Sequence, residues 1–405
     1  MGEKSKMIVV LPGTKWSEGL CKELKHRGEE ILLVSPEEHP YCEKYADVFY
    51  RSDIFLIDNI VSFCKGHNIT AVMSDECDIA MPVVAELGLR LGVNTLDVDS
   101  AALFTDKYLM RDFSKKHGIL YPEYRFCKNV EEAIEFRREL GKDIIIKPLD
   151  SNASHGVFTI SSEKDLIDHF DEASSFSRVD NGVIAERYIY GTEFTIDGIK
   201  TPNGHFTLAI SEKKHFAYNE NIANELLFTH HNNRFDYDKL RRTNDSFVNQ
   251  TNLRYGFTHA EYKYEDGEFY LIEIAARGGG NQISSIITQY MSGYNTYKYL
   301  VDSAISGEYE YDFSISNEYL NRASVLHFFN VPGEGGIVKE IIGEEFLKKE
   351  PSILDYGLNF GVGDEIHKAE NDSVRIGYYI AGAENEKKLK DIMEEIDTQF
   401  RIITE

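Results

Sequence analysis

The sequence predicts a mixed protein, in which an α/β N-terminal part is followed by a larger α+β part. Between residues 7 and 120, short apolar strands alternate with helices of about 10 residues, which is typical of a parallel sheet with right-handed crossovers. Residues 259–274 form two strands of period two around a short polar turn, which predicts an antiparallel hairpin. Residues 320–405 add strands, glycine turns and a terminal helix. At 405 residues, the chain is long enough for about two to three domains.

The N-terminal part supplies the elements of the parallel sheet. Its predicted strands are 7–11, 31–34 and 70–73, and its predicted helices are 17–27, 58–67 and 80–91. The turn at Pro12 and Gly13 follows the first strand, as it does in dinucleotide-binding folds, but no GxGxxG motif follows it. We therefore expect a structural or substrate-side role for this part rather than a nucleotide site.

Two lysines in the middle of the chain are candidates for binding an anion. Lys107 begins a predicted helix, 105–117, and taken alone it is an ordinary surface lysine. Lys147 ends the apolar strand 143–147, where a lysine is expected to be partly buried and to need an anion. The small residues of loop 150–157 would let backbone N–H groups point at phosphate oxygens. A plain hairpin is the alternative for this loop, because the GxxxxGK[ST] spacing is missing.

The remaining elements are predicted from periodicity and from capping residues. Helices are predicted at 130–140, 162–174, 236–251, 283–307 with a break at 292–293, and 384–398, and strands at 158–160, 182–189, 193–198 ending in a turn, 206–211, 323–328 and 373–381. The polar segment 214–234 fits a mobile substrate loop and a solvated surface equally well. His230 and His231 are adjacent, and adjacent residues point to opposite sides of a strand, so we do not expect them to bind a metal together.

The predicted hairpin carries two carboxylates in strands that are otherwise mostly apolar. Glu261 lies in the first strand and Glu273 in the second, and an unpaired carboxylate there would cost several kcal/mol, on the order of the ion desolvation penalty. Mg²⁺ would supply the missing positive charge, because it prefers oxygen ligands and is usually held by one or two carboxylates plus nucleotide phosphates. Arg277 follows with a guanidinium suited to phosphate or carboxylate, and the glycines 278–280 allow close backbone approach. The alternative is an exposed hairpin with solvated acids and a flexible glycine turn.

Composition and charge exclude several classes of partner. The net charge is −24 and the acidic residues are spread along the chain, whereas nucleic-acid binding needs a clustered basic face. No run of 18 apolar residues occurs, so no membrane span is predicted. The apolar run at 7–11 is too short for a secretory signal. The five cysteines are odd in number and lack metal-ligand spacing, which predicts a cytoplasmic protein.

Taken in order, these features resemble the ATP-grasp superfamily, in its carboxylate–amine ligase branch with the L-amino acid ligases and the biotin carboxylases. The features are Asp106-Lys107, Lys147-Pro148, loop 151–157, Glu186-Arg187-Tyr188-Ile189, Gly191-Thr192-Glu193, Glu261, Glu273 and Arg277. The resemblance covers nearly the whole chain. It implies an ATP-grasp fold with a Rossmann-like parallel-sheet domain at 1–104, nucleotide-binding lobes at 105–320 with a small lobe at about 120–190, and a C-terminal lobe at 321–405 that completes the ATP-grasp domain.

The resemblance also implies a role for each motif residue. Lys107 and Lys147 would contact the α- and β-phosphates, and Ser151, Ser154, His155, Gly156 and Val157 would cover the β- and γ-phosphates. The segment Glu186, Arg187, Tyr188 and Ile189 would hold adenine through the Glu186 carbonyl and the Ile189 amide, and Glu193 would hold the ribose. Glu261 and Glu273 would bind one or two Mg²⁺ ions, with Mn²⁺ as the alternative ion. Arg277 would stabilise the transferred phosphoryl group or bind the substrate carboxylate, together with Gly279, Gly280 and Asn281.

One position departs from the family pattern. Many members carry Asn two residues after the second metal-binding Glu, whereas this chain has Ala275. The second Mg²⁺ would then lose a protein ligand. Some carboxylase relatives also carry Ala there, so we interpret it as a marker of the branch.

The implied reaction activates a carboxylate as an acylphosphate with release of ADP, and an amine then displaces phosphate to form an amide. The resemblance implies ATP as the nucleotide, a small-molecule carboxylate and a small-molecule amine as substrates, and neither nucleic acid nor membrane as partner. Members are commonly dimers, which leaves a homodimer open. Two alternatives are kept: a bicarbonate-using carboxylase or carbamoyl-phosphate-type enzyme, suggested by Ala275, and a non-catalytic nucleotide-binding protein.

Overall fold

The computed structural model describes residues 5–149, 155–177, 181–307 and 311–405. It contains four sheets, one parallel and three antiparallel, flanked by helices. This arrangement confirms the predicted fold class of an α/β part followed by an α+β part. No helix in these residues is long and apolar enough to cross a membrane.

The N-terminal sheet is parallel and has four strands. Its elements are β1 (Lys6–Val10), α1 (Glu18–His26), β2 (Glu30–Ser35), β3 (Val48–Arg51), α2 (Ile57–Cys64), β4 (Asn68–Met73), α3 (Met81–Leu91) and α4 (Val98–Leu103). The strand order is β3-β2-β1-β4, and the buried faces of β1 and β2 pack on the helices. The edge strand β3 is missing from the prediction because its apolar run, Val48-Phe49-Tyr50, is only three residues long and half-buried.

A small antiparallel sheet follows. Its elements, with the helix that precedes it, are α5 (Lys107–His117), β5 (Tyr124–Cys127), α6 (Val130–Leu140), β6 (Ile144–Lys147), β7 (Phe158–Ile160), α7 (Glu163–Ser175) and β8 (Val183–Arg187), in the strand order β5-β8-β6-β7. Helix α6 has the predicted bounds because Asn129 caps its start and the left-handed Gly141 ends it.

The large sheet has eight antiparallel strands. Its elements and their neighbours are β9 (Thr192–Thr201), β10 (Gly204–Phe216), β11 (Asn219–Thr229), α8 (Tyr237–Asn249), β12 (Gly256–Glu265), β13 (Glu268–Ala275), a π-helical turn (Ile283–Ile287), α9 (Thr288–Ser292), α10 (Thr296–Ser306) and β14 (Ala323–Phe328). The chain then continues through β15 (Gly335–Ile342), α11 (Glu344–Lys349), β16 (Ile353–Leu358), β17 (Glu365–His367), β18 (Gly377–Ala383), α12 (Glu386–Gln399) and β19 (Arg401–Thr404). The strand order of the large sheet is β13-β12-β9-β10-β11-β14-β18-β16, and the order β17-β15-β19 forms a separate sheet.

Two predictions for this region are wrong. Segment 214–234 is not a mobile loop, because most of it belongs to β10 and β11, which pair inside the large sheet. Part of it is solvated, as the alternative predicts: Lys214 binds Glu225 across these two strands while its side chain stays 63% exposed. The predicted turn at Gly198 is also absent, since β9 continues through it. A Cβ at Gly198 would lie 2.5 Å from His205 Nε2, so glycine is needed there for space.

The C-terminal residues contribute to two sheets, because β15, β17 and β19 form the small separate sheet and the other strands join the large one. Strands β14, β18 and β16 extend the same sheet that carries the β12–β13 hairpin. The predicted domain boundaries at 104 and 320 stay predictions.

Candidate functional site

A cavity of about 580 Å³ lies against one face of the large sheet and collects most of the predicted site residues. The predicted residues that line it are Lys107, Lys147, Val157, Tyr188, Glu193, Glu261, Glu273, Arg277, Gly280 and Asn281. They come from the N-terminus of α5, the small sheet, β9, the β12–β13 hairpin and the glycine turn after it. The volume lies within the usual range of about 300–1,000 Å³ for small-molecule pockets.

The register of the strands explains why charged side chains meet in the cavity. Glu261 on β12 is directly opposite Glu273 on β13. On β9, Glu193 pairs with Lys213 of β10 on one side and with Lys263 of β12 on the other. Directly opposed residues of neighbouring strands project from the same face of a sheet, so these five side chains share the face that borders the cavity.

The two hairpin carboxylates are each paired with a lysine. Lys107 Nζ donates to Glu273 Oε1 at 2.8 Å. Lys213 Nζ donates to Glu261 Oε1 at 2.9 Å and also to Glu193. Burial alone would raise the pKa of Glu261, but Lys213 and His259 hold it well below the usual value. Two like charges directly opposite each other would destabilise a hairpin, and these lysines remove that repulsion.

Lys147 belongs to a second ion-pair cluster, at the end of β6. Its Nζ donates to Glu186 Oε2 at 2.8 Å, and Arg111 Nε donates to the other carboxylate oxygen. Burial opposes ionisation of Glu186, yet Arg111 and Lys147 lower its pKa to about 2. The strand-end lysine is therefore buried and needs an anion, as the sequence predicts, and the anion present here is Glu186.

Of the three predicted residues that follow Glu186, only Tyr188 lines the cavity. The Arg187 guanidinium binds Glu123 and Glu265, both at 2.6 Å, and so it joins the small sheet to the hairpin of the large sheet instead of lining the cavity. Tyr188 lines the cavity with Lys263 Nζ 4.4 Å from its ring centroid. Ile189 is buried. The predicted use of the Glu186 carbonyl and the Ile189 amide stays a prediction.

Arg277 is fixed by the N-terminal part of the chain. Its Nε and one terminal nitrogen donate to the two oxygens of Asp78 at 2.8 and 2.6 Å, and its other terminal nitrogen donates to the Gly278 carbonyl. Burial disfavours the charge, but Asp78 raises the pKa of Arg277. The Gly278 N–H donates to Asp75 Oδ1 at 3.0 Å. The glycine turn is therefore held in place by acids that follow β4.

The glycine turn needs its glycine at 279. A Cβ there would lie 2.5 Å from Asp197 Oδ1 and 2.9 Å from His259 Nδ1. After it, Asn281 has a positive φ of 55°. Gly280 and Asn281 line the cavity, as predicted, whereas Gly279 packs on the Asp197–His259 pair.

Loop 150–157 is described only from His155 onwards, so the predicted Ser151 and Ser154 lie outside the described residues. The His155 ring stacks on Phe176, with ring centroids 5.9 Å apart. Gly156 has a φ of +71°, and a Cβ there would meet Phe176 and Pro148 at less than 3.0 Å. Val157 lines the cavity.

Sequence reasoning missed several residues that border the cavity, chiefly Lys213, His259 and Asp78. Lys213 escaped because only the part of β10 before residue 212 is predicted as a strand. His259 precedes Glu261 by two residues, and the alternation of a strand would have placed both on one face. Its Nδ1 lies 2.8 Å from Asp197 Oδ1, and although burial opposes the charge, Asp197 raises its pKa to about 9. His259 also faces Ala275 in the register, where the family pattern has Asn.

The donor set fits a nucleotide with Mg²⁺. Among the described residues, no group of three or more His, Cys, Asp and Glu side chains is placed to hold a metal ion by itself. Two opposed carboxylates with lysines beside them are, however, the arrangement in which Mg²⁺ takes one or two protein oxygens and completes its shell with phosphates and water.

Comparison with known proteins agrees with this geometry. Residues 140–286 match the ATP-grasp domain. The chain contains an ATP-grasp domain. Residues 328–405 match the L-amino acid ligase C-terminal domain 2. The recognition of the ATP-grasp fold from the sequence motifs is thus confirmed, and the segment that carries Lys147, Glu186, Glu193, Glu261, Glu273 and Arg277 lies within the matched ATP-grasp domain.

The individual relatives of this chain are distant in sequence. It is 28% identical over 194 residues to the phosphoribosylamine–glycine ligase of Methanocorpusculum labreanum, which is 47% of this chain and 44% of the relative, so the match spans less than half of that relative. It is 23% identical to the L-arginine-specific L-amino acid ligase of Bacillus subtilis over 73% of this chain and 71% of the relative. The solved L-amino acid ligase of Bacillus licheniformis superposes with a TM-score of 0.83 over 100% of both chains at 17% identity, which supports the fold.

Proposed function

We propose that this chain is an ATP- and Mg²⁺-dependent carboxylate–amine ligase that releases ADP and phosphate. The observation that carries the proposal is the pairing of Glu261 with Glu273 across the hairpin, inside a cavity that Lys107, Lys147, Lys213 and Arg277 border or reach. The matches to the ATP-grasp domain and to the L-amino acid ligase C-terminal domain 2 support it.

The proposed reaction has two steps. First, an oxygen of the substrate carboxylate attacks the γ-phosphorus of ATP, the bond to the bridging oxygen breaks, and ADP leaves with that electron pair. Second, the amine nitrogen attacks the acyl carbon, the carbon–oxygen bond to phosphate breaks, and the nitrogen loses a proton. In both steps, charge builds up on phosphate oxygens, and Arg277 and the lysines are placed to offset it.

The chain's own residues would exchange partners when the nucleotide binds. Lys107 and Lys213 now neutralise Glu273 and Glu261 at 2.8 and 2.9 Å. When bound, Mg²⁺ would take over the two carboxylates and neutralise the triphosphate, and Mn²⁺ is the alternative ion. The lysine ammonium groups would then be released to bind phosphate oxygens. Arg277 would keep its pairing with Asp78 and hold the transferred phosphoryl group or the substrate carboxylate.

The base and ribose would lie between the small sheet of β5 to β8 and the large eight-stranded sheet. We assign adenine recognition to the Glu186 carbonyl and the Ile189 amide, and ribose recognition to Glu193, which Lys213 and His215 orient. Tyr188 would border the adenine. The segment His155, Gly156 and Val157 would close over the terminal phosphates with Ser151 and Ser154. The Arg187 side chain is reassigned from nucleotide contact to joining the two sheets, because both of its partners are structural carboxylates.

The decisive experiment traps the acylphosphate. Purified protein is incubated with ATP, Mg²⁺, hydroxylamine and a broad panel of carboxylic acids, and ADP and hydroxamate are measured. We expect both products with one or more acids. Absence of ADP and hydroxamate with every acid would refute the ligase and favour a nucleotide-binding protein without turnover. ADP release that depends on bicarbonate alone would favour the carboxylase or carbamoyl-phosphate-type alternative.

The proposal extends to location and assembly. None of the five cysteines is in a disulfide, and four are buried, which supports the cytoplasm as a reducing compartment. Because members of the resembling family are commonly dimers, we also propose a homodimer. Light scattering on the purified protein tests it.

A further inference from the structure

The β12–β13 hairpin carries one more candidate metal ligand besides its two glutamates. His259 precedes Glu261 by two residues on β12. Across the hairpin it directly opposes Ala275, which follows Glu273 by two residues. Residues two apart on a strand project from the same face, so the imidazole shares the face of the two carboxylates, and all four residues line the cavity. We call this part of the cavity the nucleotide end.

The His259 ring is held at one nitrogen and directs the other towards Glu261. Nδ1 lies 2.8 Å from Oδ1 of Asp197, which is only 1% exposed. Nε2 lies 3.8 Å from Glu261 Oε1, which is too far for a normal hydrogen bond. The backbone at Gly279 packs on the Asp197–His259 pair, since a Cβ there would lie 2.9 Å from Nδ1. The orientation of the ring is therefore fixed.

This is the arrangement in which histidines bind metal ions. A histidine that ligates a metal through one ring nitrogen donates its other N–H to a carboxylate or carbonyl, which fixes the tautomer and the direction of the ring. Asp197 would be that carboxylate, and Nε2 of His259 would be the ligating atom. A proton on Nε2 of the metal-free protein would be displaced when the metal binds.

A second aspartate–histidine pair in the same sheet shows what a purely structural pair looks like. His205 Nδ1 lies 2.6 Å from Asp245 Oδ1, and its Nε2 lies 2.7 Å from Thr258 Oγ1. Both ring nitrogens of His205 are therefore occupied, and His205 does not line the cavity. His259 differs on both counts, because its Nε2 is directed to the cavity beside Glu261 and has no partner at hydrogen-bonding distance among the described residues.

We propose that His259 Nε2 is a ligand of a metal ion that Glu261 holds, in place of the side chain that Ala275 lacks. The proposal deepens the proposed ligase function and rests on it for the presence of a metal–nucleotide site. Two protein ligands would suffice, because phosphates and water complete the shell. Imidazole is a softer donor than a carboxylate, so this ligand would favour Mn²⁺ over Mg²⁺ at that position.

Pulsed EPR of Mn²⁺ bound to the full chain with ADP tests the proposal. The method detects nitrogen and phosphorus nuclei next to the ion and needs no turnover. The protein is produced with ordinary or with ¹⁵N-labelled histidine and is used in excess, so that Mn²⁺ and ADP are bound. We expect a nitrogen coupling that changes from ¹⁴N to ¹⁵N with the label, which a structural histidine would not show. His259→Gln should lose this coupling and bind Mn²⁺ about 10-fold more weakly.

His327→Gln is the matched control. His327 is a partly buried histidine of the same sheet, and its neighbours Leu326 and Phe328 line the cavity, so its own ring projects from the other face. This variant should keep the coupling and the affinity for Mn²⁺. Asp197→Asn should weaken Mn²⁺ binding by about 10-fold, because the ring loses the carboxylate that orients it. Unchanged affinity in Asp197→Asn would refute that orienting role.

Two results would overturn the assignment of His259. One is a wild-type Mn²⁺ signal without a histidine coupling, and the other is a histidine coupling that persists in His259→Gln. If His259→Gln does not fold, His259→Asn serves as the second variant, and the wild-type signal without a histidine coupling remains decisive.

The phosphorus coupling separates this assignment from the proposed function. Phosphorus coupling without histidine coupling would refute the role of His259 and leave the metal–nucleotide site standing. Absence of both couplings would refute the metal–nucleotide site together with the role of His259. Histidine coupling without hydroxamate formation from any acid would refute the ligase and leave the metal ligand standing.

Discussion

Two parts of the cavity lining differ in how their charged side chains are paired. At the nucleotide end, Glu261 and Glu273 are paired with Lys213 and Lys107 at hydrogen-bonding distance, so each carboxylate has a cation of the chain beside it. Where the chain leads into β18, Arg375 lies against the Phe328 ring, and its Nε has no hydrogen-bond partner among the described residues. A ligand at the nucleotide end would therefore have to exchange partners with the lysines, whereas Arg375 has an N–H group that pairs with none of the described residues.

Exchange of partners makes the nucleotide end dependent on two ligands at once. A triphosphate alone would draw the lysines away and leave two opposed carboxylates, and Mg²⁺ alone would leave buried lysines without an anion. We therefore expect nucleotide and metal to bind much more tightly together than either binds separately.

The largest expected effect is that of removing a metal carboxylate. Glu273→Gln should lower the rate of ADP release by about 1,000-fold, because it removes a charged oxygen on which the metal depends. The melting temperature should change little, since the amide keeps the shape and can still accept from Lys107. Glu268→Gln, in the same hairpin but paired with Lys239 at its tip, is the control and should retain activity. Full activity of Glu273→Gln would refute the metal assignment.

The next effect concerns how Arg277 is positioned. Asp78→Asn should lower kcat by about 10- to 100-fold and leave the Kd for ATP close to that of the wild type, because the guanidinium loses its ionic partner and its fixed direction. Stopped-assay kinetics and nucleotide titration measure the two quantities. Asp58→Asn changes an exposed carboxylate on helix α2 of the N-terminal part and should have no effect. An unchanged kcat in Asp78→Asn would show that Arg277 is oriented by other contacts.

A change of opposite sign tests the idea of exchange directly. Lys213→Met removes the internal cation of Glu261, so the nucleotide-free protein should bind Mn²⁺ about fivefold more tightly, while its stability without metal should fall by about 3 kcal/mol. Titration of Mn²⁺ and urea unfolding measure the two effects. Lys214→Met is the neighbouring control, because Lys214 pairs with Glu225 instead of with the metal carboxylates. Weaker Mn²⁺ binding in Lys213→Met would contradict the exchange.

The smallest effect concerns His230, a buried histidine that is hydrogen-bonded to a backbone carbonyl. Its Nε2–H donates to the Met291 carbonyl, 3.0 Å away, and burial lowers its pKa from 6.5 to about 4. Because the folded pKa lies below the unfolded one, the stability is fully present above pH 6.5 and is lost as the pH falls towards 4. The stability difference between wild type and His230→Gln should therefore shift by about 2–3 kcal/mol between pH 7.5 and pH 4.5.

Urea unfolding at several pH values measures this shift. His39→Gln replaces an exposed histidine and should unfold like the wild type at each pH. Parallel pH profiles for His230→Gln and wild type would show that His230 does not titrate as a buried neutral group.

The nucleotide end was predictable from the sequence because its residues sit on regular strands. Lys147 ends an isoleucine strand, and Glu261 and Glu273 lie on two period-two strands joined by a short turn, so local patterns place them. Lys213 was not predicted as a site residue, because the polar composition of 214–234 does not indicate that a strand continues there. The charged side chains of that strand are paired across the sheet. The sequence did not indicate that Trp16, Glu76, Phe328 and Arg375 line the same cavity, because they are far apart in the chain and carry no shared local pattern.

The eight-stranded sheet has a consequence for how new specificities arise. Since β14 pairs with β11 and β18 pairs with β14, the C-terminal residues belong to the same sheet as the nucleotide end and cannot be replaced as an independent unit. A chain cut near residue 320 would expose the edge of β11 to pairing with other copies and would aggregate. Substrate preference is therefore expected to change by single substitutions in the cavity lining, while the eight-stranded sheet stays whole.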